Sequence, residues 1–206
     1  LSFGYEVNES DRFIQMFDYT FDLSIFCCFI PTLYGASVHP VASKGIKLSN
    51  TFNILLDNNI TYALLVPAFL SFLKPYYEEI KLPHLRHLLF AGEAMPNELT
   101  YQFSECVPNA RILNFYGPTE ATIFCTGYEW KEELRERKHH NGGVTIGKVF
   151  PNLYGIILND KNQLTKTKEI GELCVAGNQL TPGYFNNYEK NKEAFISYKY
   201  DGKLLR

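Results

Sequence analysis

The 206-residue sequence has no large excess of charge of either sign, since 20 basic and 22 acidic residues give a formal net charge of -2. Without a basic excess there is no reason to expect nucleic acid or an anionic membrane as a partner. The sequence also has no apolar run near the roughly 20 residues that span a bilayer. Residues 1–11 lack the basic start and apolar centre of a secretory signal. A membrane protein is therefore not expected.

Cysteine is sparse, and its pattern does not indicate disulfides or a metal site. The five cysteines are an odd number, form no C-x-x-C pair, and lie mostly in apolar stretches, at Cys27, Cys28, Cys106, Cys125 and Cys174. This usage predicts reduced core thiols in a cytoplasmic protein. His139 and His140 lie in a polar run, where a solvated loop is expected rather than a pair of metal ligands.

Apolar segments of helix and strand length alternate from Asp22 to Tyr128. The pattern predicts helices over residues 23–34, 46–59, 67–73 and 96–106, and strands over residues 37–41, 62–66, 87–91 and 111–115. Because residues 23–34 are almost wholly apolar, we expect a buried helix there, with Gly35 as its C-cap. The alternation predicts an α/β fold with a mostly parallel sheet covered by helices on both faces.

Beyond Lys131 the pattern changes to short apolar runs separated by glycines, such as residues 153–158 and 172–176. Regular turn signals between short strands predict a small antiparallel, barrel-like subdomain. We therefore predict an α/β subdomain over residues 1–135 and a β-rich subdomain over residues 142–206 that is incomplete at its C-terminal end.

One seven-residue segment, residues 114–120, reads Asn-Phe-Tyr-Gly-Pro-Thr-Glu and follows the short apolar run 110–113. A strand that ends in a tight Gly-Pro turn exposes side chains at its carboxyl edge, where open α/β sheets bind ligands. Tyr116 could stack on a base, Thr119 could bind a phosphate oxygen, and Glu120 could hold Mg²⁺ as a hard oxygen ligand. The alternative is an ordinary turn whose aromatic side chain packs and whose acid is solvated.

This first signature resembles the N-x-Y-G-P-T-E motif of adenylate-forming enzymes. A second signature comprises Gly-Glu-Leu-Cys-Val-Ala-Gly at 171–177 and Thr-Pro-Gly-Tyr at 181–184, and it resembles that family's G-E-L-x-V-x-G…G-Y stretch. Phe-Asp-Leu-Ser at 21–24 resembles the family's F-D-x-S element, and Gly-Glu-Ala at 92–94 resembles its adenine-pocket loop. These motifs stand in the family's order over essentially the whole chain. The chain thus resembles an adenylation domain of a nonribosomal peptide synthetase, or a stand-alone amino-acid ligase of the D-alanine carrier-protein type.

The resemblance implies a two-step reaction. ATP and an amino acid give aminoacyl-AMP and pyrophosphate, and the acyl group then passes to the phosphopantetheine thiol of a peptidyl carrier protein or domain. Thr119 and Glu120 are the implied catalytic residues, with Glu120 as the Mg²⁺ ligand. The implied nucleotide-binding residues are Gly92, Glu93, Ala94, Asn114, Phe115, Tyr116, Gly117 and Thr119. Among these, Tyr116 would cover one face of the adenine, and Asn114 would bind its amino group.

Asp22 is the implied partner of the substrate ammonium group; the alternative is that it caps the following helix. Asp18, four residues earlier, lacks the following Ser. The implied pocket residues are Leu23, Phe26, Leu64, Leu89, Ala91, Phe115, Ile123 and Phe124. None is charged, which argues against a charged substrate side chain. Three of them are Phe and occupy volume, so a small or medium apolar amino acid is expected. The alternative is that these residues are simply core.

Three elements of the family do not occur in this sequence: a Ser/Thr/Gly-rich phosphate loop, a ribose-binding Thr-Gly-Asp, and a C-terminal domain with a reactive lysine. We therefore expect a central fragment that is inactive, or nearly so, in isolation. Uncovered apolar surface should make it self-associate. The alternatives are a fragment of an acyl-CoA or aryl-acid ligase, and a non-catalytic module that docks a carrier protein.

Overall fold

The computed structural model describes residues 6–134, 136 and 139–205. The chain forms two compact units. The first contains the chain up to Tyr116 together with Thr126–Lys148, and the second contains Gly117–Cys125 and the chain from Val149 onward.

Helices and strands alternate through the first part of the chain, and strands predominate in the second. The α-helices are α1 (Leu23–Leu33), α2 (Lys47–Asp57), α3 (Ala68–Leu73), α4 (Asn97–Ser104) and α5 (Tyr188–Ala194). The strands are β1 (Arg12–Gln15), β2 (Ser37–Pro40), β3 (Tyr62–Leu65), β4 (His87–Phe90), β5 (Arg111–Tyr116), β6 (Thr126–Trp130), β7 (His139–His140), β8 (Gly143–Val144), β9 (Lys148–Val149), β10 (Leu153–Leu158), β11 (Glu172–Gly177), β12 (Tyr198–Tyr200) and β13 (Lys203–Leu205). Single 3-10 turns occupy Lys74–Tyr76, Thr119–Ala121 and Glu132–Leu134.

The main sheet has the strand order β2-β1-β3-β4-β5-β6-β9. Lys148, the first residue of β9, is the last residue of the first unit. β1 pairs in parallel with β2 and β3, and the parallel pairing continues to β4 and β5. β6 returns antiparallel along β5. Every residue of β3 and β4 is buried, as required of strands covered on both faces. The predicted α/β fold with a mostly parallel sheet is confirmed.

The two faces of this sheet are distinguished by the alternation of side chains along each strand. One face carries Ala63, Leu65, Leu88, Phe90 and Ile112, which belong to a single large core cluster. The opposite face carries the intervening residues, whose in-register partners on neighbouring strands are described with the candidate site.

Helix α1 differs from its prediction. Its apolar composition predicts a buried helix, but Ile25, Phe29 and Leu33 are exposed, the last two at 62% and 74%. These residues recur every four positions and therefore form one exposed stripe. Burial is confined to Ser24, Cys27 and Pro31. The expectation of a fully buried helix is wrong because one side of α1 has nothing packed against it in the described residues.

The predicted glycine cap at the end of α1 is confirmed. Gly35 adopts φ +72°, a left-handed conformation that favours glycine. The Gly35 amide donates to the Thr32 carbonyl (3.4 Å) and the Ala36 amide donates to the Pro31 carbonyl (2.9 Å). This is the paired hydrogen-bond pattern of a Schellman motif.

The second unit is built from antiparallel pairs, as predicted. β10 pairs with β11 over their whole lengths, and β12 pairs with β13. The two compact units do not divide at residues 131–141: residues 142–148 belong to the first unit, and residues 117–125 belong to the second. The division into subdomains at 1–135 and 142–206 stays a prediction.

Among the described residues, no helix combines the length and apolar character needed to cross a membrane. All five cysteines are free thiols. Burial raises the pKa of each of them, so none is an activated nucleophile.

Candidate functional site

The carboxyl ends of the parallel strands β1, β3, β4 and β5 lie at one edge of the sheet, the edge where ligands bind in open α/β folds. Residues 92–94 follow β4 at this edge and are exposed. Tyr116, the last residue of β5, is 40% exposed. Helix α1 connects the parallel strands β1 and β2, so Asp22 at its start belongs to the same edge. The sequence-predicted nucleotide and ammonium residues of the first unit are thus placed along one edge.

The loop after β4 is fixed by Glu93. Its carboxylate accepts a hydrogen bond from the Ala68 amide at the start of α3 (3.0 Å). Gly92 has φ +90°, which favours glycine, and there is open space where a side chain would stand. The side chain of Glu93 therefore ties this loop to the helix that follows β3. Direct nucleotide contacts by residues 92–94 stay a prediction.

Asn114 is buried within β5. Its Nδ2 donates to the carbonyls of Val144 (3.2 Å) and Thr145 (3.1 Å). The Asn114 side chain therefore tethers β5 to residues 144 and 145. An adenine amino group is a donor, so contact with Asn114 would use the acceptor Oδ1. That contact stays a prediction.

Most predicted pocket residues of the first unit share the sheet face opposite the large core cluster. Leu64 and Leu89 are in-register partners, and Ala91 and Phe115 stand at the alternating positions that point the same way. Phe26 of α1 reaches this face through Phe13, with ring centroids 6.4 Å apart. Leu23 is partly buried at the start of α1.

Leu64, Leu89, Ala91 and Phe115 are as fully buried as the residues of the core. The sequence prediction thus identified neighbours in space. A pocket that they line stays a prediction.

In the second unit, the chain turns tightly after Gly117, so that residues 123–125 return to pack against the Gly117 backbone. A Cβ at Gly117 would stand 2.6 Å from the Phe124 Cα and still closer to the Ile123 carbonyl oxygen. Only glycine fits this approach of two backbone segments. Thr122 (φ 57°) and Ile123 (φ 68°) both adopt left-handed conformations, which are rare for β-branched residues. Backbone strain of this kind concentrates at functional sites, where surrounding contacts enforce it.

Gln179 supplies these contacts. Its Nε2 donates to the carbonyls of Phe124 (3.0 Å) and Ala121 (3.2 Å), and its own carbonyl accepts from Thr122 Oγ1 (2.5 Å). The Thr181 amide also donates to the Glu120 carbonyl (2.8 Å). Gln179, which lies between the two parts of the second signature, thus holds the residues just after the first signature, and Thr181 of the second signature binds Glu120 of the first. Sequence reasoning missed Gln179 because no local pattern marks a contact that joins residues 57 positions apart.

Glu120 lies on the 3-10 turn beside the exposed Thr119. Its Oε1 accepts a hydrogen bond from Tyr184 Oη (2.5 Å). This bond, followed by one from the backbone N–H of Glu120, lowers the pKa of the Glu120 carboxyl below its usual value. The group is therefore ionised at neutral pH, as a hard oxygen ligand must be.

Among the described residues, no three His, Cys, Asp or Glu side chains cluster as a metal site. Mg²⁺ is commonly bound through one or two carboxylates plus substrate phosphates, and a single ionised Glu120 fits that mode.

Asp22 occupies the N-cap position of α1, yet it makes no side-chain hydrogen bond to the helix. The capping alternative for its carboxylate is therefore wrong. Asp18 instead accepts from the Thr20 backbone amide (3.0 Å) and the Thr20 hydroxyl (2.9 Å), which lower the pKa of Asp18. The Asp18 carboxylate therefore stabilises a local turn, whereas the Asp22 carboxylate makes no capping hydrogen bond to α1.

Comparisons with known proteins identify the family to which this chain is similar. The AMP-binding enzyme family matches residues 2–185. Tyrocidine synthase 2 of Brevibacillus parabrevis is 33% identical over 191 residues, which cover 92% of this chain and 5% of that protein. The D-alanine–D-alanyl carrier protein ligase of Bacillus licheniformis is 27% identical over 197 residues, covering 94% of this chain and 39% of the ligase.

A solved structure shows the same fold. It is the Vibrio cholerae adenylation domain AlmE in complex with glycyl-adenosine-5'-phosphate, with a TM-score of 0.79 and 28% identity. The match covers 97% of this chain and 37% of AlmE. The chain therefore spans about two fifths or less of the length of these relatives. On its fold, its two signatures and the match to residues 2–185, the chain belongs to the AMP-binding enzyme family.

Proposed function

We propose that the protein containing this chain activates an amino acid for a carrier protein. A carboxylate oxygen of the amino acid attacks the α-phosphorus of ATP, the bond to the β-phosphate oxygen breaks, and pyrophosphate leaves. The carrier thiol then attacks the acyl carbon, AMP leaves, and the thiol proton passes to solvent. The names of the D-alanine ligase and of AlmE with its bound glycyl-adenosine-5'-phosphate support an amino acid as the activated acid.

The resemblance assigns nucleotide binding to residues 92–94 and to residues of the first signature. Tyr116, exposed at the end of β5, would stack on adenine, with residues 92–94 beside it. Thr119, exposed on its turn, would donate to an α-phosphate oxygen, and Glu120 would hold Mg²⁺. The metal supplies positive charge that offsets the charge on the phosphoryl oxygens, because such transfers depend mainly on positioning and electrostatics.

The observation that carries the amino-acid assignment is Asp22. Its carboxylate stands at the helix start, at the ligand-binding edge of the sheet, without a capping bond. Asp22 is partly buried, and a carboxylate that a bound substrate covers needs a positive partner, which a substrate α-ammonium group would provide. The uncharged set of predicted pocket residues supports an apolar side chain, and the volume of its three Phe supports a small or medium one.

We further propose that this chain supports little or no adenylation by itself. The resemblance assigns phosphate-loop, ribose-binding and reactive-lysine roles to sequence that this chain does not contain. We also propose that it works in the cytoplasm, where its five thiols stay reduced. The exposed stripe of α1 supports self-association of the isolated chain.

ATP–pyrophosphate exchange with a panel of amino acids tests the assignment. The assay should use both this chain and the full-length product of the reading frame that encodes it. In the full-length protein, Asp22→Ala should lower kcat/KM for the amino acid by about 100-fold, since it leaves the ammonium group without a partner. The control Asp18→Ala removes the same charge four residues away and should keep most of the exchange. An aryl-acid or acyl-CoA ligase would tolerate Asp22→Ala, and that result would refute an amino-acid substrate.

A further inference from the structure

The hydrogen bond between Tyr184 and Glu120 links the two signatures across 64 sequence positions. At 2.5 Å between Tyr184 Oη and Glu120 Oε1, it has the length of a charge-assisted hydroxyl–carboxylate bond. The Glu120 backbone is held as well, since its carbonyl accepts from the Thr181 amide (2.8 Å). Both the backbone and the carboxylate of Glu120 are thus attached to the segment that contains Tyr184.

Tyr184 is in turn fixed by Asn191 of α5. The Tyr184 amide donates to Asn191 Oδ1 (2.6 Å), and Asn191 Nδ2 donates to the Tyr184 carbonyl (2.8 Å). The side chain of Asn191 thereby pairs with both backbone groups of Tyr184. Gly183 makes this possible, because a Cβ there would stand 2.6 Å from Asn191 Oδ1 and the residue has φ +136°.

The Tyr184 ring packs edge-to-face with the Phe195 ring, with ring centroids 5.6 Å apart and an interplanar angle of 65°. Edge-to-face contacts of this geometry are favourable and orient the ring. Backbone, ring and hydroxyl of Tyr184 are therefore all constrained within the second unit. A tyrosine held only for packing would not need its hydroxyl directed at a carboxylate.

We propose that Tyr184 is a positioning residue that orients the Glu120 carboxylate toward the metal–nucleotide substrate, with Asn191 as its support. This inference rests on the proposed function of Glu120. A carboxylate has two oxygens and several acceptor sites, so Glu120 could hold a metal ion while it accepts the hydrogen bond from Tyr184. Without the hydroxyl, the carboxylate would have to be ordered again each time that substrate binds, and this would weaken binding.

A double-mutant cycle tests the inference by binding rather than by turnover. Calorimetry measures the Kd of MgATP for the full-length protein and for its Tyr184→Phe, Glu120→Gln and double variants. Tyr184→Phe keeps the ring contact with Phe195 and should raise the Kd about threefold to tenfold. In the Glu120→Gln background the same change should have almost no effect, because the hydroxyl acts through the carboxylate. ATP with EDTA should bind wild type and Tyr184→Phe alike.

Two further variants extend the test. Asn191→Ala should raise the Kd in the same direction as Tyr184→Phe, whereas the exposed Tyr188→Phe is the matched control and should leave it unchanged. Additive effects of Tyr184→Phe and Glu120→Gln would overturn the positioning role while leaving the nucleotide site intact. A wild-type protein that binds no MgATP would overturn the proposed function itself, and the positioning role with it.

Discussion

At the residue scale, the most informative feature is the strained turn after β5. The sequence predicts a ligand-binding turn at the first signature. The left-handed Thr122 and Ile123 were not predicted, because β-branched side chains normally avoid this conformation. The structure explains them through distant hydrogen bonds from Gln179, which no local pattern could reveal.

Gly117→Ala should destabilise this turn. The added Cβ collides with backbone atoms of Ile123 and Phe124, which cannot move aside as a flexible side chain can. We expect the free energy of unfolding to fall by about 1–3 kcal/mol, the usual cost of overpacking. Denaturant titration measures it. Gly143→Ala is the control, since its Cβ would stand 3.4 Å from the His140 carbonyl oxygen, and an equal loss there would contradict the explanation.

His87 should make stability depend on pH. Burial, and then the charges of Arg111 and Arg86, lower the pKa of His87 to about 4, against the raising effects of Asp11 and Glu129. The unfolded-state pKa is roughly 6.5, so the unfolded chain binds the proton first as pH falls. The stability that the folded chain gains from keeping His87 neutral is therefore fully present above about pH 6.5, and it is lost as the pH falls from about 6.5 to 4.

We expect the free energy of unfolding to decrease by roughly 1 kcal/mol between pH 7 and pH 5, after allowance for solvent screening. Denaturant titrations at several pH values measure this decrease. His87→Gln should remove it, while the exposed His84→Gln should retain it. An unchanged pH dependence in His87→Gln would show that another group is responsible.

At the element scale, the success of the sequence prediction followed the strength of the apolar pattern. The predicted strands at 62–66, 87–91 and 111–115 match β3, β4 and β5 to within a residue at each end, because apolar residues predominate in each of these strands. β1 and β6 were missed. The four residues of β1 include Arg12 and Gln15, and β6 contains Gly127 and Glu129, so neither has a strong strand pattern. β1 and β6 are strands because they pair with neighbouring strands of the sheet.

The exposed stripe of α1 leads to a prediction about association. Ile25, Phe29 and Leu33 lie on one side of the helix, so the isolated chain should self-associate in a concentration-dependent manner. Light scattering should give a mass above that of the monomer. The Phe29→Gln/Leu33→Gln double variant should restore the monomer, whereas Ile170→Gln, at an apolar residue outside α1 with 96% exposure, should not. A monodisperse wild-type monomer would contradict the prediction.

At the scale of the whole molecule, the sequence predicted the fold class and the family, and the contacts between motifs required the structure. The two signatures are separate in sequence, yet Thr181 and Tyr184 both bind Glu120. The sheet register also brings Leu64 beside Leu89, as their shared assignment to one pocket requires. Spacing along the chain cannot predict such pairings, because loop geometry decides them. The sequence does not predict which amino acid binds, because residues that line an apolar pocket and residues of an apolar core have the same composition.

The central claim is that this chain belongs to an enzyme that forms aminoacyl-AMP with Asp22 at the amine and Glu120 at the metal–nucleotide end. Mass spectrometry of adenylates formed by the full-length protein from ATP, Mg²⁺ and a mixture of amino acids and amine-free carboxylic acids tests it most directly. We predict an adenylate of an amino acid with an uncharged side chain, which disappears in Asp22→Ala and falls at least about tenfold in Glu120→Gln. An adenylate formed only from amine-free acids, or one that persists in both variants, would contradict the account.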